Sequence, residues 1–368
     1  MGTDRVGIVG AGVMGAEIAG AAAAAGLDVT LQDVSPDALE TARKRIAKIL
    51  ERLDTGPSAA LELTSDDGGL SDRDLVIEAV PENLELKAEV FRRLDDVVTE
   101  DAILASNTSG LSITTLARET RRPGRVLGLH FFNPASRMQL VEIVRGDDTT
   151  ADVMARATVI VERLGKTPVR VRECPGFLVN RILVRAITEA YRAHGDPHAT
   201  DAAVISGGPA PMGPYALGDL IGLDTLGAIQ QDLERAYGER FADEGVIEEH
   251  VTRGRLGRKS GAGFFDYSAD AAVPDITGAR SGAGAYYLGA LHEAALCVGD
   301  DVAGIPEVDL ALELGAGWSQ GPLAWADSQG LASLLEQMQE RVALGNERFA
   351  PPAELATRAA AGERFRRE

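Results

Sequence analysis

The sequence predicts an α/β domain with a mostly parallel sheet, followed by an all-α region in which the helical domain is duplicated. Three observations carry this. Short β-branched runs alternate with helical patterns up to about Val171, as expected for a sheet covered on both faces. From Pro175 onward strand signals almost vanish and long helical stretches dominate. Within that second part, Met212-Gly213-Pro214 and Gln320-Gly321-Pro322 open two segments that align without a gap at an offset of 108. Asp219 then falls on Asp327, Gly222 on Gly330, and Glu239-Arg240-Phe241 on Glu347-Arg348-Phe349. Upstream, Asp201 falls on Asp309, and a four-residue insertion brings Glu189-Ala190 onto Glu293-Ala294.

Each element has a local reason. Val6 to Val9 reads as a buried strand ending at Gly10. Val13 to Ala25 is alanine-rich and free of proline, a helix closed by Gly26. Val29 to Leu31 is the second strand, ending at Asp33. Ser35 as N-cap and Pro36 in the first turn start a helix that runs to Leu53. Leu75 to Val80, Ile103 to Ala105, Val126 to Leu129 and Val141 to Val144 are further strands, and Glu82 to Val98 is a helical pattern among them. The Gly/Ala/Asp-rich stretch Ser268 to Gly284 reads as a linker. The expected domains are therefore residues 1–172, 173–268 and 284–355.

Composition excludes several classes. A chain of 368 residues has room for two or three domains. With 45% hydrophobic and 25% charged residues it reads as globular and soluble. Its 37 basic and 56 acidic residues give a net charge of −19, which repels nucleic acid and anionic lipid. Two cysteines, Cys174 and Cys297, with no CxxC or Cys/His cluster, point to a reduced, cytoplasmic protein without a metal site. The N-terminus runs straight into a strand, so no leader peptide is expected. Ala16 to Leu27 is too short to span a bilayer.

Gly10-Ala11-Gly12-Val13-Met14-Gly15 is a GxGxxG run between a strand and a helix, the mark of a Rossmann dinucleotide-binding domain. The first glycine permits the tight turn, the second lets backbone approach a pyrophosphate, and the third allows close helix–strand packing. Asp33 ends the second strand, where a carboxylate accepts hydrogen bonds from ribose hydroxyls and repels a 2′-phosphate. Val34 to Pro36 supplies no cation to offset it, so NAD is favoured over NADP. Of five histidines, only His130 lies in the α/β part, at the C-terminal end of a predicted strand. An imidazole there suits the base that alcohol oxidation needs.

Ser106-Asn107-Thr108-Ser109, followed by His130-Phe131-Phe132-Asn133-Pro134, resembles the L-3-hydroxyacyl-CoA dehydrogenase family. Glu82-Asn83-Leu84-Glu85-Leu86-Lys87, Leu140-Val141-Glu142, Pro175-Gly176-Phe177-Leu178-Val179-Asn180-Arg181 and Gly257-Arg258-Lys259-Ser260-Gly261 extend the likeness over nearly the whole chain. The duplicated helical segment resembles the tandem C-terminal domains of the larger fatty-acid-oxidation dehydrogenases. The resemblance implies reversible hydride transfer between C3 of a hydroxyacyl thioester and nicotinamide. It implies His130 and Glu142 as the acid/base pair, with Ser109 and Asn180 at the substrate oxygen and thioester. It places Glu82, Lys87, Ser109, Asn133 and Lys259 near the cofactor, and a helical domain closing the active-site cleft. In the second copy Gly284 stands where the first has Asn180, so that copy reads as structural. It can supply within one chain the partner that single-copy relatives find in a second subunit, which leaves monomer or homodimer open.

The chain departs from the family between Asp54 and Asp74, where a long helical hairpin that contributes to CoA binding is cut down to a segment with Gly56-Pro57 and Asp67-Gly68-Gly69. Ile49 stands in the place of a CoA-contacting serine. The substrate is thus expected to be an acyl thioester of CoA, with three alternatives. One is an acyl carrier protein, as in polyketide extender-unit synthesis, docked on Arg118, Arg121, Arg122 and Arg125. Another is a free hydroxy acid of the gulonate type. The last is a non-catalytic NAD-binding protein, against which the intact Ser109, His130, Glu142 and Asn180 speak.

Overall fold

The computed structural model describes residues 4–55, 61–268 and 275–366, which form two compact units divided after Cys174. Residues 1–3, Gly56-Pro57 of the shortened segment and residues 269–274 of the expected linker lie outside the described residues. No helix among the described residues is long and apolar enough to cross a membrane.

The first unit runs β1 (Arg5–Val9), α1 (Val13–Ala24), β2 (Asp28–Gln32), α2 (Pro36–Arg52), β3 (Leu61–Thr64), β4 (Leu75–Glu78), α3 (Leu84–Val97), β5 (Ile103–Ser106), α4 (Ile113–Ala117), β6 (Val126–Phe131), β7 (Leu140–Arg145), α5 (Ala151–Arg163) and β8 (Thr167–Arg172). The strands form one sheet in the order β3-β2-β1-β4-β5-β6-β7-β8. Every neighbour pair is parallel except β6 and β7, which are antiparallel. The order reverses between β1 and β4, and a crevice opens beyond the carboxyl ends of strands at such a reversal.

The central strands are apolar on both faces, with Val6, Ile8, Leu75, Ile77 and Leu104 sealed from solvent. Alternation is not required of strands covered on both sides, which is why they read as short runs. Two strands were not anticipated. β3 is four residues long and mostly half-exposed at one edge. β8 begins Thr167-Pro168 and then alternates buried Val169 and Val171 with exposed Arg170 and Arg172 at the other edge. Edge strands carry weak apolar signals because one side is wet. α1 is built of small residues so that its neighbours approach closely. A Cβ on Gly20 would lie 2.9 Å from Ile49 Cδ1 of α2. Ile49 is therefore a core residue, 2% exposed.

The second unit contains α6 (Val179–Arg192), α7 (Pro197–Gly207), α8 (Pro214–Ile221), α9 (Leu223–Tyr237) and α10 (Val246–Thr252), and then α11 (Ala283–Gly299), α12 (Ile305–Gly315), α13 (Pro322–Gln329), α14 (Leu331–Ala343) and α15 (Ala353–Ala361). The duplication is visible bond by bond. Asp201 accepts the backbone amides of Tyr215 and Ala216 at 3.0 and 2.8 Å. Asp309 accepts those of Leu323 and Ala324 in the same way. A Cβ on Gly213 would sit 2.1 Å from Asp201 Cγ, and one on Gly321 2.3 Å from Asp309, so only glycine fits either place. Asp219 accepts the amides of Phe264 and Phe265, and Asp327 those of Phe365 and Arg366. This last match escapes the 108-residue offset because the first copy inserts a turn at Arg258–Ser260.

The two copies meet along α6 and α11. A Cβ on Gly289 would come 3.2 Å from the Arg185 carbonyl, which shows how closely the helices approach. The ion pairs are crossed. Glu189 of the first copy pairs with Arg348 of the second at 2.7 Å, and Glu293 of the second with Arg240 of the first at 3.2 Å.

His292 on α11 is 3% exposed, and its Nε2–H donates to the Ala350 carbonyl at 3.0 Å. Burial, reinforced by the nearby Arg185 charge, pushes its pKa down to about 4. A histidine held neutral by the fold contributes stability above its unfolded pKa of about 6.5, and that stability is lost as pH falls toward 4. Asp201 has the opposite sign. Burial raises it to about 6, so it favours the fold as pH drops through that value. His292→Gln is therefore expected to gain about 2–3 kcal/mol relative to the parent between pH 7 and pH 4.5. Urea midpoints at the two pH values test this, and an unchanged difference between parent and variant would refute it.

Candidate active site

β1 ends at Val9, and Gly10 follows with φ +102°. A side chain there would meet the Ala79 carbonyl at 2.8 Å. Gly15 packs so tightly that its Cβ would lie 1.8 Å from the Gly10 carbonyl oxygen. Gly12 faces open space, with nothing within 4 Å of an added Cβ. As the N-cap of α1 it has no side-chain oxygen to cap the first turn, whereas Ser35, Asn83 and Ser112 cap α2, α3 and α4. Open space and uncapped first-turn amides together suit a diphosphate.

A cavity of about 600 Å³ adjoins this turn, lined by Gly10, Gly12, Val13, Met14, Asp33, Val34, Val80, Pro81, Leu86, Val90 and Arg93 among others. Asp33 is fixed by two backbone amides, Ala11 N–H to Oδ2 at 2.7 Å and Ser35 N–H to Oδ1 at 2.8 Å. Each oxygen keeps a lone pair for a ribose hydroxyl. The donor set and the apolar walls fit an adenine dinucleotide. Arg93 was missed in the sequence because it reads as one more cation on a wet helix. Its Nε lies 2.7 Å from Asp67 Oδ2, an ion pair out of line with the N–H direction, and that pair holds it at the cavity wall.

At the ends of β4 and β5 a buried network joins residues far apart in sequence. Glu78, fully buried, accepts Ser106 Oγ–H at 2.6 Å and the Val80 amide at 2.7 Å. Lys87 Nζ donates to Glu78 at 2.7 Å and to the Val80 carbonyl at 3.2 Å, and pairs with Glu82 at 3.2 Å. Glu82 in turn accepts the Thr108 hydroxyl and the Ser109 amide. Lys87, expected beside the cofactor, is only 1% exposed, with its ammonium against Glu78, the Val80 carbonyl and Glu82. The structure places it beneath the loop, where it holds Glu78 and Glu82. Glu82 is exposed and Ser109 half-buried at the loop surface. Glu78 carried no sequence signal, since one acid at a strand end is unremarkable until its partners are known.

His130 and Glu142 lie directly opposite each other in the antiparallel register of β6 and β7. Opposed residues place their Cβ atoms within about 5.5 Å, on one face. His130 Nδ1 lies 2.6 Å from Glu142 Oε2, with the carboxylate 0% and the ring 7% exposed. The carboxylate can only accept, so Nδ1 carries the hydrogen and Nε2 is the basic nitrogen. Phe132 packs against the ring at 4.5 Å between centroids, and Asn107 Oδ1 accepts the Phe131 amide at 3.0 Å. Asn133 is exposed on the loop after β6.

The two remaining candidates lie in the second unit. Asn180 is half-buried in the first turn of α6. Lys259, half-exposed on the turn after α10, pairs with Asp224. The arginines considered as a docking patch each face an acid: Arg118 Asp147, Arg121 Asp95 and Asp96, Arg122 Asp95, and Arg125 Asp152. That stretch is a charge-balanced surface, not a basic one.

Known proteins resemble this chain over nearly its whole length. The model for the 3-hydroxyacyl-CoA dehydrogenase NAD-binding domain matches residues 5–174, and that for the C-terminal domain of the same family matches residues 176–267 and again 287–368. A probable 3-hydroxybutyryl-CoA dehydrogenase of Bacillus subtilis is 41% identical over 73% of this chain and 98% of its own. The alpha subunit of a fatty acid oxidation complex from a Psychrobacter strain is 32% identical over 97% of this chain and 55% of its own. The crystal structure of a 3-hydroxybutyryl-CoA dehydrogenase from Escherichia coli K12 is similar at a TM-score of 0.90, with 30% identity over 98% of this chain and 99% of the other. With its NAD-binding α/β unit and two successive helical domains, the chain belongs to the 3-hydroxyacyl-CoA dehydrogenase family.

Proposed function

We propose that the protein interconverts a 3-hydroxyacyl-CoA and its 3-oxoacyl-CoA form. The observation that carries this reading is the buried His130–Glu142 pair at the C-terminal edge of the sheet that also bears the dinucleotide turn. NAD, when bound, supplies the carbon that accepts the hydride. In the oxidative direction His130 Nε2 takes the hydroxyl proton as the C3–H bond breaks, and the resulting imidazolium lies against the Glu142 carboxylate. In the reductive direction the same nitrogen returns the proton to the forming alkoxide. Ser109 and Asn180 are assigned to the substrate's oxygens, where donors stabilise developing negative charge. Glu82 and the buried Lys87 and Glu78 hold the loop that carries Ser109. Asp33 accepts the adenosine ribose, and Asn133 and Lys259 are assigned to the cofactor by their motifs.

A CoA ester is preferred to a carrier-bound one because the arginines that would dock an acidic carrier already face Asp95, Asp96, Asp147 and Asp152. The test follows absorbance at 340 nm with NADH or NADPH and either acetoacetyl-CoA or an acetoacetyl-carrier protein. Turnover of the CoA ester with NADH is the expected result. Turnover of the carrier form alone, or of neither with NADH bound, would overturn the reading.

A further inference from the structure

The second helical copy lacks a counterpart of Asn180, yet it touches the turn that presents Asn180. Gly176 and Phe177 both adopt left-handed backbone, with φ +75° and +50°, and lead the chain into α6. The Arg181 amide closes this entry on the Gly176 carbonyl at 3.2 Å. The Arg181 side chain, 1% exposed, is gripped from α11 and its C-cap: Nε donates to Glu293 Oε1 at 2.7 Å and Nη2 to Asp300 Oδ2 at 2.7 Å. Its guanidinium also lies 4.5 Å over the Tyr237 ring, and the Tyr237 hydroxyl donates to the Pro175 carbonyl at 3.2 Å. The segment from Pro175 to Arg181 is thus fastened at both ends.

What the second copy kept is selective. With the four-residue insertion, Gly284, Ala285 and Gly289 of α11 stand where α6 has Asn180, Arg181 and Arg185. The copy has lost the polar side chains that would serve a site of its own. It has kept Glu293, the counterpart of Glu189, which is fully buried and serves the first copy. A helix retained only as filler would have no need of a buried carboxylate on a neighbour's arginine, because an ion pair of this kind seldom adds net stability over apolar packing.

We propose that α11 of the degenerate copy is a positioning element for the reaction: Glu293 and Asp300 hold Arg181, and through it the first turn of α6, and so the direction in which Asn180 is presented. The proposal rests on the assignment of Asn180 to the substrate's oxygens. Adjacent helical residues share one backbone turn, so a held Arg181 side chain restrains that turn and with it the Asn180 Cα–Cβ direction. Misplacement by about 1 Å can cost on the order of 100-fold in rate.

The test uses the full chain with acetoacetyl-CoA and NADH. Asp300 is the clean handle because its side chain is 49% exposed. Asp300→Asn is expected to lower kcat about 10-fold while NADH affinity and the urea midpoint stay unchanged. Asp300→Glu should recover most of the rate, and Asn180→Ala measured in parallel should be slower than Asp300→Asn. Wild-type kcat in Asp300→Asn, with Asn180→Ala slow, would overturn the clamp alone. Wild-type kcat in Asn180→Ala would overturn the assignment of Asn180 and the clamp with it. A rate loss that only tracks a lowered urea midpoint, and that Asp300→Glu does not restore, would reduce the contact to a stabilising one and overturn the proposal.

Discussion

Replacing Glu142 with Gln is expected to lower kcat about 10³–10⁴-fold while leaving NADH affinity unchanged. The two side chains have nearly the same shape, so the core around β7 stays packed. The chemistry at His130 does not. Glu142 accepts from Nδ1 at 2.6 Å, which makes Nε2 the basic nitrogen. A glutamine can turn its NH₂ toward Nδ1, make that nitrogen the acceptor and move the ring hydrogen to Nε2. The ring then cannot take a proton from the alcohol. Nor does an imidazolium formed in the reaction find a carboxylate at Nδ1. Steady-state rates at 340 nm and a fluorescence titration with NADH separate the two effects. A loss under tenfold would show that the pair is structural.

Replacing His130 with Ala is expected to lower kcat about 10²–10⁴-fold, again with NADH affinity preserved. The ring is 7% exposed, so a small stability loss is expected as well. The informative result is the double variant. Glu142 acts only through His130, so His130→Ala with Glu142→Gln should be no slower than His130→Ala alone. Rate losses that multiply would mean that Glu142 touches the reaction by another route. A His130→Ala protein with undiminished turnover would remove the basis of the proposed mechanism.

How much of this was legible beforehand depends on the range of each interaction. The GxGxxG turn, Asp33 and the strand–helix alternation are local, and a local pattern is readable because a tight turn or a half-buried helix constrains neighbours in sequence. Asp201 and Asp309, and Gly213 and Gly321, were readable as a repeat but not as a contact. Only the fold shows that each aspartate fills the space a Cβ would take and accepts two amides there. Lys87 was readable as part of a motif, but its burial against Glu78, Val80 and Glu82 is seen only in the fold. The four arginines from Arg118 to Arg125 looked like a patch because their acids, from Asp95 to Asp152, are distant in sequence.

The sequence by itself determined the α/β unit and the dinucleotide turn from periodicity and local spacing, the helical duplication from its internal repeat, and the residue types of the site through their resemblance to the family. Only the tertiary structure decided which charges meet. The antiparallel register of β6 and β7 brings Glu142 onto His130. The close approach of α6 and α11 gives Arg181 to Glu293 and crosses the Glu-Arg-Phe arginines between copies. Burial then decides how firmly these meetings hold, since a pair shielded from water interacts more strongly than an exposed one.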